Sequence, residues 1–216
     1  PTLAPTTPTV RPAQDLAFRL LAFAASVALL LAASAINGYP LLFPDSGSYM
    51  ALSVVAEELP YRTLVYPALM RLLGSHWTLW GVVVFQALCI AWLLDQTIRL
   101  VGPRSYAVWL VGLTTMLVLL TGLSWNVGEI MPDVFSGALV LSAGIQVAYG
   151  DRLPLWRQLV LTAVLALGTA IHASHIPVVL ALACAGAIAL HWLGRPLRAL
   201  ALPVLALLVG VLTIPT

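Results

Sequence analysis

Long apolar runs separated by short polar stretches set the rhythm of this chain. A helix needs about 20 apolar residues to cross the hydrocarbon core of a bilayer. The runs 16–36, 77–98, 105–125 and 132–149 each fit one crossing; the second tolerates Gln86 and ends near Asp95 and Arg99. The run 156–192 is too long for one ordinary crossing and only just enough for two. Its middle reads His172-Ala-Ser-His175-Ile-Pro177. Proline suits the first turn of a helix and serine suits the cap before it. The run is therefore expected to divide there, with Ser174 as cap, into two short helices joined by a tight turn. The run 196–214 closes the series. These patterns predict an all-α polytopic membrane protein with about seven transmembrane helices. The first polar-containing loop, 37–76, is expected to add two amphipathic helices, 48–58 and 62–73, lying along the membrane surface with their apolar sides down.

Composition supports this class. The 216 residues are 61% hydrophobic and 8% charged, whereas soluble domains carry about a quarter charged residues. So few charges cannot make a water-soluble surface. The apolar runs are continuous, not alternating, which excludes a transmembrane β-barrel. The net charge of +2 gives no case for nucleic acid. Cys89 and Cys184 both sit within apolar runs and read as inert thiols, not as a disulfide framework. The segment 1–15, rich in Pro and Thr, is expected to be a disordered tail. Residues 16–216 form the expected transmembrane domain, read as the N-terminal part of a longer chain.

All ten basic residues are Arg, and their placement sets an orientation. A cytoplasmic N-terminus puts Arg11, Arg19, Arg99, Arg104, Arg152, Arg157, Arg195 and Arg198 inside and leaves only Arg62 and Arg71 outside. The positive-inside rule favours that arrangement. The expected location is the plasma (inner) membrane, with the other face toward periplasm or external medium. Asp15, Asp95 and Asp151 then fall inside, each near an Arg, as flanking pairs. Asp45, Glu57, Glu58, Glu129, Asp133, His172 and His175 all fall outside, so any chemistry belongs to the outer face.

Asp45 follows Pro44 and precedes Gly47, at a turn just beyond the first span. A carboxylate there can serve as a helix cap or as a reactive group. Glu129 and Asp133 lie at the edge of an apolar span, where acids are costly and tend to mark sites. Four residues apart, they could share one helical face, although Pro132 is better placed to begin the span. His172 and His175, three apart, are expected on one helical face, as contacts for a phosphate or as partners for the turn. The His-Glu-x-x-His pattern of zinc proteases is absent. Arg62 offers a planar fork of donors for a phosphate group or for lipid headgroups.

The segment Phe43-Pro-Asp45-Ser-Gly-Ser-Tyr49, the later Arg62-Thr-Leu-Val-Tyr66-Pro67 and the loop Glu129-Ile-Met-Pro-Asp133 together resemble the N-terminal module of the GT-C superfamily of membrane glycosyltransferases. The resemblance covers most of residues 16–192 and rests on the arrangement more than on any one motif. It implies a polyprenyl-phosphate sugar donor read at the outer leaflet. It also implies Asp45 as the catalytic or metal-associated acid, with Asp133 or Glu129 assisting. Tyr49, Arg62, His172 and His175 would bind substrate. A divalent cation, Mg or Mn, held by Asp45, Glu129 or Asp133 is an alternative stabiliser of the leaving phosphate. The chain lacks the further spans and soluble outer domain of many relatives, so the acceptor site could belong to a protein partner in the membrane. Two rival readings stand beside the enzyme: a non-catalytic glycosyltransferase-like subunit of a larger complex, and a lipid or solute transporter. Transporters place ionisable groups near the midplane; here Gln86 is the clear polar residue deep in a span.

Overall fold

A computed structural model describes residues 12–55, 63–103, 105–172 and 174–212. Among the described residues the chain is helical throughout, with no strand. The order is α1 (Pro12–Leu30), α2 (Ala32–Asn37), α3 (Ser46–Val54), α4 (Val65–Leu72), α5 (Trp80–Val101), α6 (Tyr106–Leu120), α7 (Leu123–Gly128), α8 (Val134–Tyr149), α9 (Leu155–Ile171), α10 (His175–Trp192) and α11 (Ala201–Leu212). Short 3-10 turns follow α8 and precede α11. Three helical stretches are long and apolar enough to cross a membrane: α5, α8 with its following turn (Val134–Arg152), and α10. Helices α6, α9 and α11 are apolar but shorter.

The long apolar run breaks where its sequence predicts, between Ile171 and His175. Pro177 occupies the third position of α10, as Pro67 does in α4 and Pro203 in α11. In the first turn an N–H has no intrahelical acceptor, so its loss is harmless. Two further breaks were not predicted. The run 16–36 divides at Leu31, and the run 105–125 divides at Thr121 and Gly122. The first has a distant cause. The Ser124 hydroxyl donates to Leu30 O (3.1 Å) and accepts from the Ala33 N–H (2.9 Å). A side chain inserted into the backbone ladder is a standard cause of a helix kink. At the second break Thr121 is extended (φ −133, ψ 172).

Helix α8 lies at the middle of the bundle, against α5 on one side and α9 and α10 on the other; α1 packs on α5 and α6, and α9 on α11. The main core joins Leu30, Tyr66, Met70, Val82, Phe135 and Ile171 from five helices, α1, α4, α5, α8 and α9. A second core joins Leu139 and Ala143 of α8 to Leu165, Val179 and Ala206. The expected surface helices are realised as α3 and α4, but they do not simply rest on a membrane. Tyr66, Pro67 and Met70 form a buried face of α4, which packs on α3, α5 and α9.

One end of the bundle is closed by ion pairs. Asp15 meets Arg19 (2.8 Å), Asp95 meets Arg99 (2.7 Å), and Asp151 meets Arg195 (2.8 Å). Tyr106 also donates to Asp95. The opposite end is sewn together from two loops. Leu41 N donates to Gly128 O (2.8 Å) and Ile130 N to Leu41 O (3.0 Å), a single parallel bridge between Leu41 and Glu129. The Ser46 hydroxyl donates to Ile130 O (2.9 Å) and accepts from the Phe43 N–H (2.9 Å). Ser34 Oγ donates to Gly128 O at 3.1 Å. A Cβ on Gly128 would lie 2.4 Å from that hydroxyl, so only glycine permits the approach.

Beneath these loops sits Gln86 of α5, fully buried. Its amide donates to Val127 O (2.8 Å) and Glu129 O (2.9 Å), and its carbonyl accepts from Tyr66 OH (2.9 Å). Replacing it with an apolar isostere strands one buried hydroxyl and two carbonyls. We expect Gln86→Leu to lose on the order of 3 kcal/mol or more, and Tyr66→Phe, which removes one of the three bonds, about 1 kcal/mol. Thermal unfolding in detergent measures both; equal losses would mean that Gln86 does not hold the loop.

Candidate functional site

The two acids expected to carry chemistry each precede a helix at the sewn end. Asp45 is the N-terminal flank of α3, and Asp133 that of α8. Neither side chain caps its helix by a hydrogen bond. Instead the Asp45 backbone carbonyl accepts from Ser48 N (3.1 Å) and Ser48 Oγ (2.8 Å). Both carboxyls are exposed. The bond from Ser46 to Ile130 O puts the residue after Asp45 against the strand-like segment that leads into Asp133.

Glu129 and Asp133 do not share a helical face. Helix α7 ends at Gly128, and Glu129 is extended (φ −83, ψ 146). Leu41 bonds Gly128 O and Ile130 N on either side of it, and its own carbonyl accepts from Gln86, so the chain leaves the helix here. The two acids are nonetheless close enough to interact. Partial burial first, and then the charge of Asp133, hold the Glu129 carboxyl above its ordinary value. Asp133 also reaches Tyr66: burial, then Tyr49 and Asp133, push that hydroxyl well above the usual tyrosine range. Tyr49 is buried and stands edge-on to Tyr66, ring centroids 5.2 Å apart. It therefore belongs to the wall behind the acids.

The histidines come together but not on one helix. His172 is extended (φ −144, ψ 121) after α9, while His175 opens α10. The turn between them, not helical spacing, brings the rings to 5.3 Å. His175 is 4% exposed, with both nitrogens engaged. Gly168 O lies 2.6 Å from Nδ1 and can only accept, so Nδ1 carries the proton and Nε2 accepts from Ser136 Oγ at 2.6 Å. Ser136 is one turn beyond Asp133, so His175 fixes the start of α8. The partly exposed His172 is different. Its Nδ1 accepts from the Ser174 N–H (3.3 Å) and faces the Ser174 hydroxyl (2.8 Å), which leaves the proton on Nε2 as an available donor.

Arg62, Glu57 and Glu58 lie outside the described residues. Thr63, the next residue after Arg62, donates to Ile171 O at 2.5 Å and ties the approach to α4 to the histidine turn. Among the described residues no three His, Cys, Asp or Glu side chains gather in a metal-ligating group. The sequence reasoning missed Gln86, Ser46 and Ser136 as organisers. Only Gln86 carried a signal, as the clear polar residue deep in a span. The chain matches no family model, no curated protein and no solved structure among known proteins.

The raised Glu129 value has a consequence for stability. The native state binds that proton more tightly than the unfolded chain does. Its charged form is therefore a stability cost, present above the native value and gone below the ordinary value of 4.5. Glu129→Gln should unfold at a higher temperature than the parent at pH 7.5, and the gap should close as pH falls toward 4.5. A gap that does not change with pH would exclude this electrostatic origin.

Proposed function

We propose that the chain is a membrane glycosyltransferase module that moves a sugar from a polyprenyl-phosphate donor to an acceptor at the end bearing Asp45. The observation that carries the reading is the sewing of the Asp45 segment to the Glu129–Asp133 segment, at the end of an apolar bundle opposite its paired ions. Acids held at one rim of a bilayer-spanning bundle can meet a headgroup whose lipid tail stays in hydrocarbon. In this reading α1, α5, α6, α8, α9, α10 and α11 make seven crossings, and the Arg-rich end faces the cytoplasm.

The chemistry assigns roles. Asp45 takes the proton of the acceptor hydroxyl as its oxygen bonds to the anomeric carbon. The bond from that carbon to phosphate oxygen breaks, and the phosphate leaves with the electron pair. Arg62 and the Nε2–H of His172 offset the charge it gains. Asp133 and Glu129 orient sugar hydroxyls. The expected Mg or Mn ion would draw on Asp45, Glu129 and Asp133, which do not form a ligand group among the described residues. The transport reading loses ground because Gln86 is consumed by structural hydrogen bonds.

Asp45→Asn should insert normally yet lose transfer from a synthetic polyprenyl-phosphate sugar by about 100-fold or more, the scale of general-base catalysis. Unchanged product would favour the non-catalytic subunit instead. The orientation has its own check. In a background with Cys89 and Cys184 replaced, Gly47→Cys and Ser174→Cys, both at exposed positions, should react with an impermeant maleimide from the non-cytosolic side. Labelling from opposite sides would remove the shared outer face.

A further inference from the structure

A groove of about 270 Å³ runs between α5, α6, α7 and α8. Its body is apolar: Ile90 and Leu94 from α5, Leu117 from α6, Val134 and Leu141 from α8. Its mouth is polar, formed by Asp133, Asn126 and Thr121. From Asp133 to Leu141 the groove follows α8 for about 12 Å at 1.5 Å per residue. Its volume is nearly twice the roughly 150 Å³ cavity that accepts benzene, so a chain of about ten carbons fits. At mid-length the α8 wall is bare. Gly137 is exposed, and a Cβ built on it meets nothing within 4 Å. Asp133 is also exposed, so the groove opens along α8.

The mouth selects the head. Among the described residues no Arg, Lys or His lines the groove. A phosphate would bring its charge against the Asp133 carboxylate with no cation from the lining to offset it. A hydroxyl instead donates to that carboxylate, and the Asn126 amide can both donate and accept. We propose that this groove seats a single-chain lipid with an uncharged, hydroxylated head, and that this lipid is the acceptor whose hydroxyl receives the sugar. The word acceptor rests on the transferase reading; the binding itself rests only on the groove. The second substrate is then a lipid reached through the same chain, and no partner subunit is needed to bring it.

The test compares binding of decyl glucoside, decyl phosphate and decylammonium to the full chain in nanodiscs, with empty nanodiscs subtracted. The glucoside should bind at least tenfold more tightly than the phosphate. Gly137→Leu, which fills the groove, should weaken glucoside binding at least tenfold. Gly144→Leu, also on α8 and also facing open space, should leave it unchanged, with both variants keeping the parent's thermal midpoint. Equal losses in the two variants, equal binding of the phosphate or tighter binding of decylammonium would overturn the assignment. The two readings fail separately. Full transfer by Asp45→Asn with groove binding intact removes the enzyme and leaves the lipid site; lost transfer by Asp45→Asn with undiminished binding in Gly137→Leu removes the groove and leaves the enzyme.

Discussion

A primary amide in the wall of an apolar helix has to find partners, because neither lipid nor a packed core supplies any. Gln86 finds three, and none lies on its own helix. That one side chain decides how the extended stretch after α7 is tolerated. Val127 and Glu129 would otherwise point carbonyls at apolar neighbours. With those carbonyls satisfied, the backbone can leave the helix at Gly128, run straight past Leu41 and re-enter a helix at Val134. The position of Glu129, and four residues later of Asp133, follows from where α5 places its amide. Tyr66 completes the hub from the other side and brings α4, and with it the buried Tyr49, into register behind the acids.

The two ends of the bundle are built on opposite electrostatic plans. At one end each acid has an arginine within 2.8 Å. The more exposed pairs, Asp15–Arg19 and Asp151–Arg195, add little stability each; the buried Asp95 carboxylate needs its arginine, and all three pairs keep charged residues compatible with an apolar helix end. At the other end Glu129 and Asp133 repel, and the Glu129 carboxyl is partly desolvated as well. A fold shaped for stability alone would separate or pair them. A perturbed carboxyl such as Glu129, retained near a polar rim, is the pattern expected where chemistry or binding is served. The contrast is sharper because the same chain shows, at its far end, that it can neutralise acids.

Local rules made much of this legible in advance. The continuous apolar runs gave the helical class, and proline in a first turn gave the division at 172–175. What escaped prediction depends on groups distant in sequence. Ser124 kinks the first helix from 94 residues away, and no pattern around Leu31 announces it. Spacing suggested that His172 and His175 would share a face, and that Glu129 and Asp133 could; a turn joins the first pair and an extended segment separates the second. The rings meet all the same, so proximity was right and its cause was not. His175 also differs from its expected role in exposure: the Gly168 carbonyl and the Ser136 hydroxyl occupy both nitrogens, and that closure leaves His172 to face outward.

Helix α8 gathers these constraints. One face packs with Phe135 toward Phe85 of α5, another packs Leu139 and Ala143 against α9, α10 and α11, and a third, bare at Gly137, borders the groove. Its first turn is tied through Ser136 to His175. Its last turn is tied through the Val147 and Ala148 carbonyls to Arg195 (3.4 and 2.8 Å), a cation at a helix C-terminus where the dipole favours it. Held at both ends by residues that bracket α10, α8 has little freedom to slide along its axis. Asp133 sits at its head and the groove runs down its side, so the same two anchors set the height of the acid and the depth of the apolar channel beneath it. A ligand spanning both would therefore meet a carboxylate at a fixed distance above its chain, and chain length becomes a quantity that the fold itself can select.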